Sequence, residues 1–142
     1  MAGDANPRSM KTHEGRLIED LRQANILVVD HSKMNLAMIK KLLTRDGYDG
    51  VQTTQDPFSV ASFCEEEAID LVILDIKMPQ LDGFGVINSI HEVLTEKVVP
   101  PVLIVTDVDE QVYRREALNY GARSKVFFMV WIIVLWRSIS VW

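Results

Sequence analysis

Three short apolar runs, each closed by a polar residue, constrain this chain more than any other feature. Ile26-Leu27-Val28-Val29 stops at Asp30, Leu71-Val72-Ile73-Leu74 at Asp75, and Pro101-Val102-Leu103-Ile104-Val105 at Thr106. A run without polar alternation has to bury both of its faces, which is the signature of a central strand in a parallel sheet. Between the runs lie amphipathic stretches. Met34, Met38, Ile39, Leu42 and Leu43 keep helical spacing up to Asp46-Gly47, where the glycine can take the left-handed cap. Val51 to Thr54 reads as a second strand. Asp56-Pro57 reads as a helix start, with Phe58, Ala61 and Cys64 on one face. Phe84, Ile87, Ile90 and Leu94 form a third helical face, and Asp109 to Asn119 a fourth helix that packs Val112, Tyr113, Ala117 and Tyr120 and stops at Gly121. Strands buried on both sides and separated by helices predict an α/β fold, a parallel sheet between two helical layers. Right-handed crossovers then bring the strands' C-terminal ends to one edge, so Asp30, Asp75 and Thr106 are predicted to share a crevice.

Composition narrows what that crevice serves. With 142 residues the chain is long enough for one domain with a core of its own. Its single cysteine, Cys64, excludes an internal disulfide framework, and the lack of a Cys/His cluster gives no expectation of a zinc site. A net charge of −5 argues against direct nucleic-acid binding, which needs clustered Lys and Arg. The charge is unevenly spread. All three tryptophans lie in the segment Val126–Trp142, which carries Arg137 and no acidic residue, so positions 1–125 hold −6. The chain thus divides into three regions: a flexible arm over residues 1–24 with a short amphipathic helix (Leu17, Ile18, Leu21, Ala24), a body over 25–125, and an apolar Trp-rich tail over 126–142. No apolar run opens the chain, so no secretory signal is expected, and the lone cysteine suits a cytoplasmic location.

Two carboxylates at one sheet edge repel each other, by roughly 4 kcal/mol at about 4 Å with an effective dielectric near 20. A hard cation relieves this. Mg2+ in particular takes one or two carboxylates together with phosphate and water oxygens. A carboxylate beside such an ion can act as a nucleophile toward phosphorus and form an acyl phosphate, with the Thr106 hydroxyl placed to hydrogen-bond a phosphoryl oxygen.

These residues carry a family resemblance. Ile26-Leu-Val-Val-Asp30, the segment Asp70-Leu-Val-Ile-Leu-Asp75-Ile-Lys-Met-Pro79-Gln-Leu-Asp82-Gly83-Phe84, Pro101-Val-Leu-Ile-Val-Thr106 and Ala117-Leu-Asn-Tyr-Gly121-Ala122 look like the receiver domain of two-component response regulators. The resemblance implies a doubly wound, flavodoxin-like parallel sheet of five strands in the order 2-1-3-4-5. It implies phosphorylation of Asp75 by a histidine kinase or phosphotransfer protein with Mg2+. Asp30, Asp75 and the backbone carbonyl of Lys77 would hold the metal, and Thr106 would be the switch hydroxyl. Pro79 and Gly83 would shape the loop after the phosphoacceptor. Phosphatases of the haloacid-dehalogenase type also use a strand-end aspartate, but they require an acid two residues later, where this chain has Lys77.

The chain departs from the receiver pattern in two places. Where receivers carry a second acid after the first strand, it has His31. An imidazole is a poor ligand for Mg2+, and the alternatives are a protonated His31 that partly replaces the cation or a solvated loop histidine. Counting from Gly121, the family's phosphate-binding lysine falls on Phe128, its proline on Met129 and its aromatic switch on Lys125. Lys125 comes three residues early, an odd shift that turns a strand side chain to the opposite face. The apolar run Val126–Trp136 is too short for a membrane span, which needs about 20 residues, but its first half suits a fifth strand. The remainder of the tail lacks the amphipathic face of the family's last helix, so the last strand and helix are expected to be atypical or missing. Exposed apolar surface and self-association are then expected. The expected function is a phosphoacceptor signalling switch rather than an enzyme. The alternative is a non-phosphorylated pseudo-receiver, an interaction module or a truncated piece of a larger regulator such as one with a cyclic-di-GMP phosphodiesterase output domain.

Overall fold

The computed structural model describes residues 19–106, 115, 116, 119 and 126–130, with Thr106 and 126–130 described in their backbone. Five strands, β1 (Ile26–Val29), β2 (Val51–Thr54), β3 (Leu71–Leu74), β4 (Val102–Thr106) and β5 (Val126–Val130), form one sheet in the order β2-β1-β3-β4-β5. Every neighbouring pair is parallel. The connections carry helices α1 (Lys33–Arg45), α2 (Val60–Glu66) and α3 (Gly83–Val93). Residues 19–22 are helical, in the stretch where the arm's short helix was expected, and the rest of that arm lies outside the described residues. The predicted helix at 109–119 also falls largely outside them, although 115, 116 and 119 are helical.

The apolar runs alternate between two cores, as strands buried on both faces must. Leu27, Val29, Val72, Leu74, Val102 and Ile104 pack with α2 and α3, against Val60, Cys64, Phe84, Ile87 and Ile90. Ile26, Val28 and Ile73 face the other way, onto Leu36 and Ile39 of α1. The two faces are unequally covered. Val72, Leu74, Val102 and Ile104 are at most 1% exposed, whereas Leu71, Leu103 and Val105 on the α1 side are only partly buried.

Helical spacing predicts α1, α2 and α3 but misplaces two buried faces. On α1, Met34 is exposed and Leu36 and Ile39 are the buried pair, because the helix starts at Lys33 and turns Met34 outward. Phe58 is also exposed. A 3-10 turn at Pro57–Ser59 precedes α2, and its tighter winding buries Pro57 and passes the core position to Val60, ahead of Ala61 and Cys64. Asp56 caps that turn through its Oδ1, which accepts the Phe58 N–H at 3.0 Å. The α1 terminus is as expected, with Gly47 at φ 97° in the left-handed region.

Gly83 opens α3 where the helix passes close to the end of β3. A Cβ there would stand 2.9 Å from the Asp75 carbonyl oxygen and 3.0 Å from Ile76 Cα, both backbone atoms that cannot move independently of the site. Gly83→Ala is therefore expected to destabilise the protein by about 1–3 kcal/mol, measured as a lower urea midpoint with an unchanged slope.

Burial pushes the Cys64 thiol up from 9.0 to about 11. A folded state that holds its proton more tightly than the unfolded chain loses stability as pH rises between those values. Equilibrium unfolding is expected to show a loss of stability from about pH 9 to pH 11, and Cys64→Ala is expected to flatten that part of the pH profile.

Candidate functional site

Parallel pairing of β1 with β3 sets Val29 opposite Leu74, so the next residues, Asp30 and Asp75, emerge side by side at the sheet edge. Asp30 is 5% exposed and is the buried charged residue among the described positions. Burial of a carboxylate requires hydrogen-bond donors, and the loop after β1 and the first turn of α1 supply them. The Ser32 N–H donates to Asp30 Oδ1 at 2.8 Å and the Asn35 side-chain amide to Oδ2 at 3.2 Å. The Ser32 hydroxyl in turn accepts the Asn35 N–H at 3.3 Å and caps α1. One short segment, Asp30-His-Ser-Lys-Met-Asn35, thus starts a helix and orients an acid. Sequence reasoning did not single out Ser32 and Asn35. The signal was a serine two residues after a strand-end aspartate, just ahead of a helical period.

Asp75 is held from its own loop, its Oδ1 accepting the Lys77 N–H at 3.2 Å. Between the two acids stands His31, whose Nδ1 lies 3.5 Å from Asp30 Oδ1 and 3.4 Å from Asp75 Oδ2. Its side chain is 48% exposed, against 7% and 12% for the two aspartates, so the imidazole lies on the solvent side of the carboxylate pair. One ligand atom from each of the three falls within 4.8 Å of the others. Gln55, just beyond β2, fixes the backbone beneath the histidine by donating from Nε2 to the His31 carbonyl at 2.7 Å. A cleft of about 150 Å³ opens beside it, lined by His31, Gln55, Pro57, Met78, Pro79 and Gln80.

Of the residues singled out from the sequence, Asp30, His31 and Asp75 meet in one cluster, and Lys77 touches Asp75 through its backbone N–H. Thr106 ends β4, the strand beside β3. The register of β5 sets Phe128 against Ile104, Met129 against Val105 and Val130 against Thr106, and the strand's sequence, VFFMV, contains no lysine. Lys125 lies outside the described residues.

The sequence matches the response regulator receiver domain profile over residues 26–127. The chain belongs to the response regulator receiver family. This receiver is 34% identical over 97 residues to the alkaline phosphatase synthesis transcriptional regulatory protein PhoP of Bacillus subtilis, an alignment that covers 68% of this chain and 39% of PhoP. It is also 34% identical over 119 residues to a probable cyclic di-GMP phosphodiesterase of Vibrio cholerae, covering 83% of this chain and 26% of that protein. The chain thus spans well under half the length of these relatives. Among solved structures, the receiver N-terminal domain from Methanoculleus marisnigri superposes with a TM-score of 0.63 at 27% identity over 80% of this chain and 91% of that one. The chemotaxis protein CheY4 of Vibrio cholerae superposes with a TM-score of 0.65 at 24% identity, over 76% and 86%. The flavodoxin-like fold and the 2-1-3-4-5 strand order read from the resemblance are those of the structure. Among the described residues, no helix is long and apolar enough to cross a membrane.

Ser32 links the cap of α1 to the orientation of Asp30. Ser32→Ala keeps the backbone donor but removes the cap, and a loss of about 1 kcal/mol in urea unfolding is expected.

Proposed function

We propose that this receiver is a phosphoacceptor switch, with Asp75 as the residue that takes the phosphoryl group from a histidine kinase or a phosphotransfer protein. The observation that carries the proposal is the placement of Asp75. It stands at the end of a central strand, beside the buried carboxylate of Asp30 and in contact with His31, which lines a cleft. In the reaction one Asp75 oxygen bonds to phosphorus as the bond between phosphorus and the donor breaks, and the donor leaves with the electron pair.

Two adjacent carboxylates fit a divalent cation, and Mg2+ is the ion the family resemblance implies. Asp30, Asp75 and the Lys77 carbonyl would hold it, and when bound it would supply positive charge against the phosphoryl oxygens. The chain's own part is orientation. Ser32 and Asn35 fix Asp30, and the Lys77 N–H restrains one Asp75 oxygen. Thr106, on the neighbouring strand, is the proposed switch hydroxyl. The charge added at Asp75 would bias an existing two-state equilibrium read by a downstream protein. The names of the two relatives point to different outputs, one transcriptional and one enzymatic, so the receiver step is the part that transfers.

A second reading has support of its own, because β5 contains no lysine and His31 replaces an acid. In that reading the domain is an interaction module that is never phosphorylated. Incubation with acetyl phosphate and a divalent cation, then intact-mass measurement, separates the two. A gain of one phosphoryl group that disappears in Asp75→Asn is expected. No gain with any cation would establish the interaction module instead.

A further inference from the structure

We propose that His31 converts the strand-end pocket into a three-donor site that prefers borderline transition cations, of the Zn2+ and Co2+ kind, over Mg2+. The inference deepens the reading of this pocket as a cation site and is independent of whether Asp75 accepts a phosphoryl group.

The donor set is the first argument. An imidazole nitrogen and two carboxylate oxygens converge here, and imidazole suits Zn2+, Co2+ and Ni2+ while Mg2+ favours oxygen throughout. Spacing is the second. His31 Nδ1 stands 3.4 Å from Asp75 Oδ2 and 3.5 Å from Asp30 Oδ1. A tetrahedral ion with bonds of about 2.0–2.1 Å requires ligands roughly 3.3–3.4 Å apart. An octahedral Mg2+ with bonds of about the same length requires neighbouring ligands at roughly 2.9 Å. Both edges that involve the histidine are nearer the tetrahedral spacing than the octahedral one.

Support around the donors is the third. Asp30 is oriented by Ser32 and Asn35, and the His31 backbone is pinned by Gln55. Ligands held in this way lose less freedom on binding a metal, and such partners typically change affinity by about 10–100-fold. The half-exposed imidazole and the adjoining cleft leave the fourth position open to water or to an incoming phosphate oxygen. No Cys/His pattern announces this site, because two of its donors are 45 residues apart and meet through strand pairing.

Transition cations bind most nitrogen and oxygen sites more tightly than Mg2+, so the test is a ratio rather than an affinity. The full chain is titrated with cobalt(II) chloride and with magnesium chloride, and Co2+ is also monitored by its visible absorption, whose intensity and position report tetrahedral nitrogen–oxygen ligation. In the wild type, a visible band is expected that saturates at one Co2+ per chain. His31→Asp is expected to abolish that band and to lower the Co2+ to Mg2+ affinity ratio by about tenfold or more. Asp30→Asn and Asp75→Asn are each expected to weaken Co2+, whereas His91→Ala, in the last turn of α3, is expected to leave it unchanged. His31→Ala, at a half-exposed position, provides a second variant whose folding is checked by circular dichroism. A Co2+ band that survives His31→Ala, or a ratio unchanged in His31→Asp, would overturn the proposal. No phosphoryl donor enters this experiment, so its failure is distinct from a failure of the acetyl phosphate test.

Discussion

The in-register parallel pairing of β1 with β3 is the constraint on which the rest of this molecule depends. It buries all four residues of β1 and Val72, Ile73 and Leu74 of β3, and in doing so it sets two aspartates next to each other at the sheet edge. Neither acid is placed there by local preference. The burial of Ile26–Val29 and Leu71–Leu74 in the two cores drives the strands together, and the carboxylates are brought along at a cost that hydrogen bonds and a cation would offset. The surrounding loops serve this pair. The loop after β1 and the first turn of α1 together give Asp30 two donors, and the loop after β3 gives Asp75 the Lys77 N–H before Gly83 lets α3 pass close to the strand end.

His31 changes the character of that pair. In a pocket of carboxylates alone, like charges would make a hard cation the natural partner. With an imidazole in contact with both acids, the pocket becomes a mixed nitrogen and oxygen cluster, open on the cleft side. The histidine that stands where receivers carry a second acid gives the pocket its nitrogen donor. At the far edge of the sheet, β5 pairs with β4 over Val102 to Thr106 but brings no ammonium group to the crevice. The fold accommodates both departures from the receiver pattern without a change in strand order.

Much of this architecture was legible in the residues. The unbroken apolar runs specified central strands, the glycine at position 47 marked the end of α1, and the spacing of Phe84, Ile87, Ile90 and Leu94 picked out four residues that are all buried. The misreadings on α1 and α2 have a common cause. Periodicity gives the pitch of a helix but not its rotation about its own axis, which is set by where the first turn begins and by whether that turn is 3-10 or α. Hence Met34 and Phe58 point outward while Leu36 and Val60 take the core positions.

By itself the sequence determined the fold class, the strand ends that carry Asp30, Asp75 and Thr106 and the membership of the receiver family, because burial of apolar runs and the residues that terminate them are local properties. The tertiary structure decided how the strand-end residues relate. That His31 would lie within ion-pair distance of both acids, that Ser32 and Asn35 would hold Asp30, and that Val130 would stand opposite Thr106 all depend on strand register and loop path. Register is set by the joint packing of side chains from distant segments, and no window of sequence contains it.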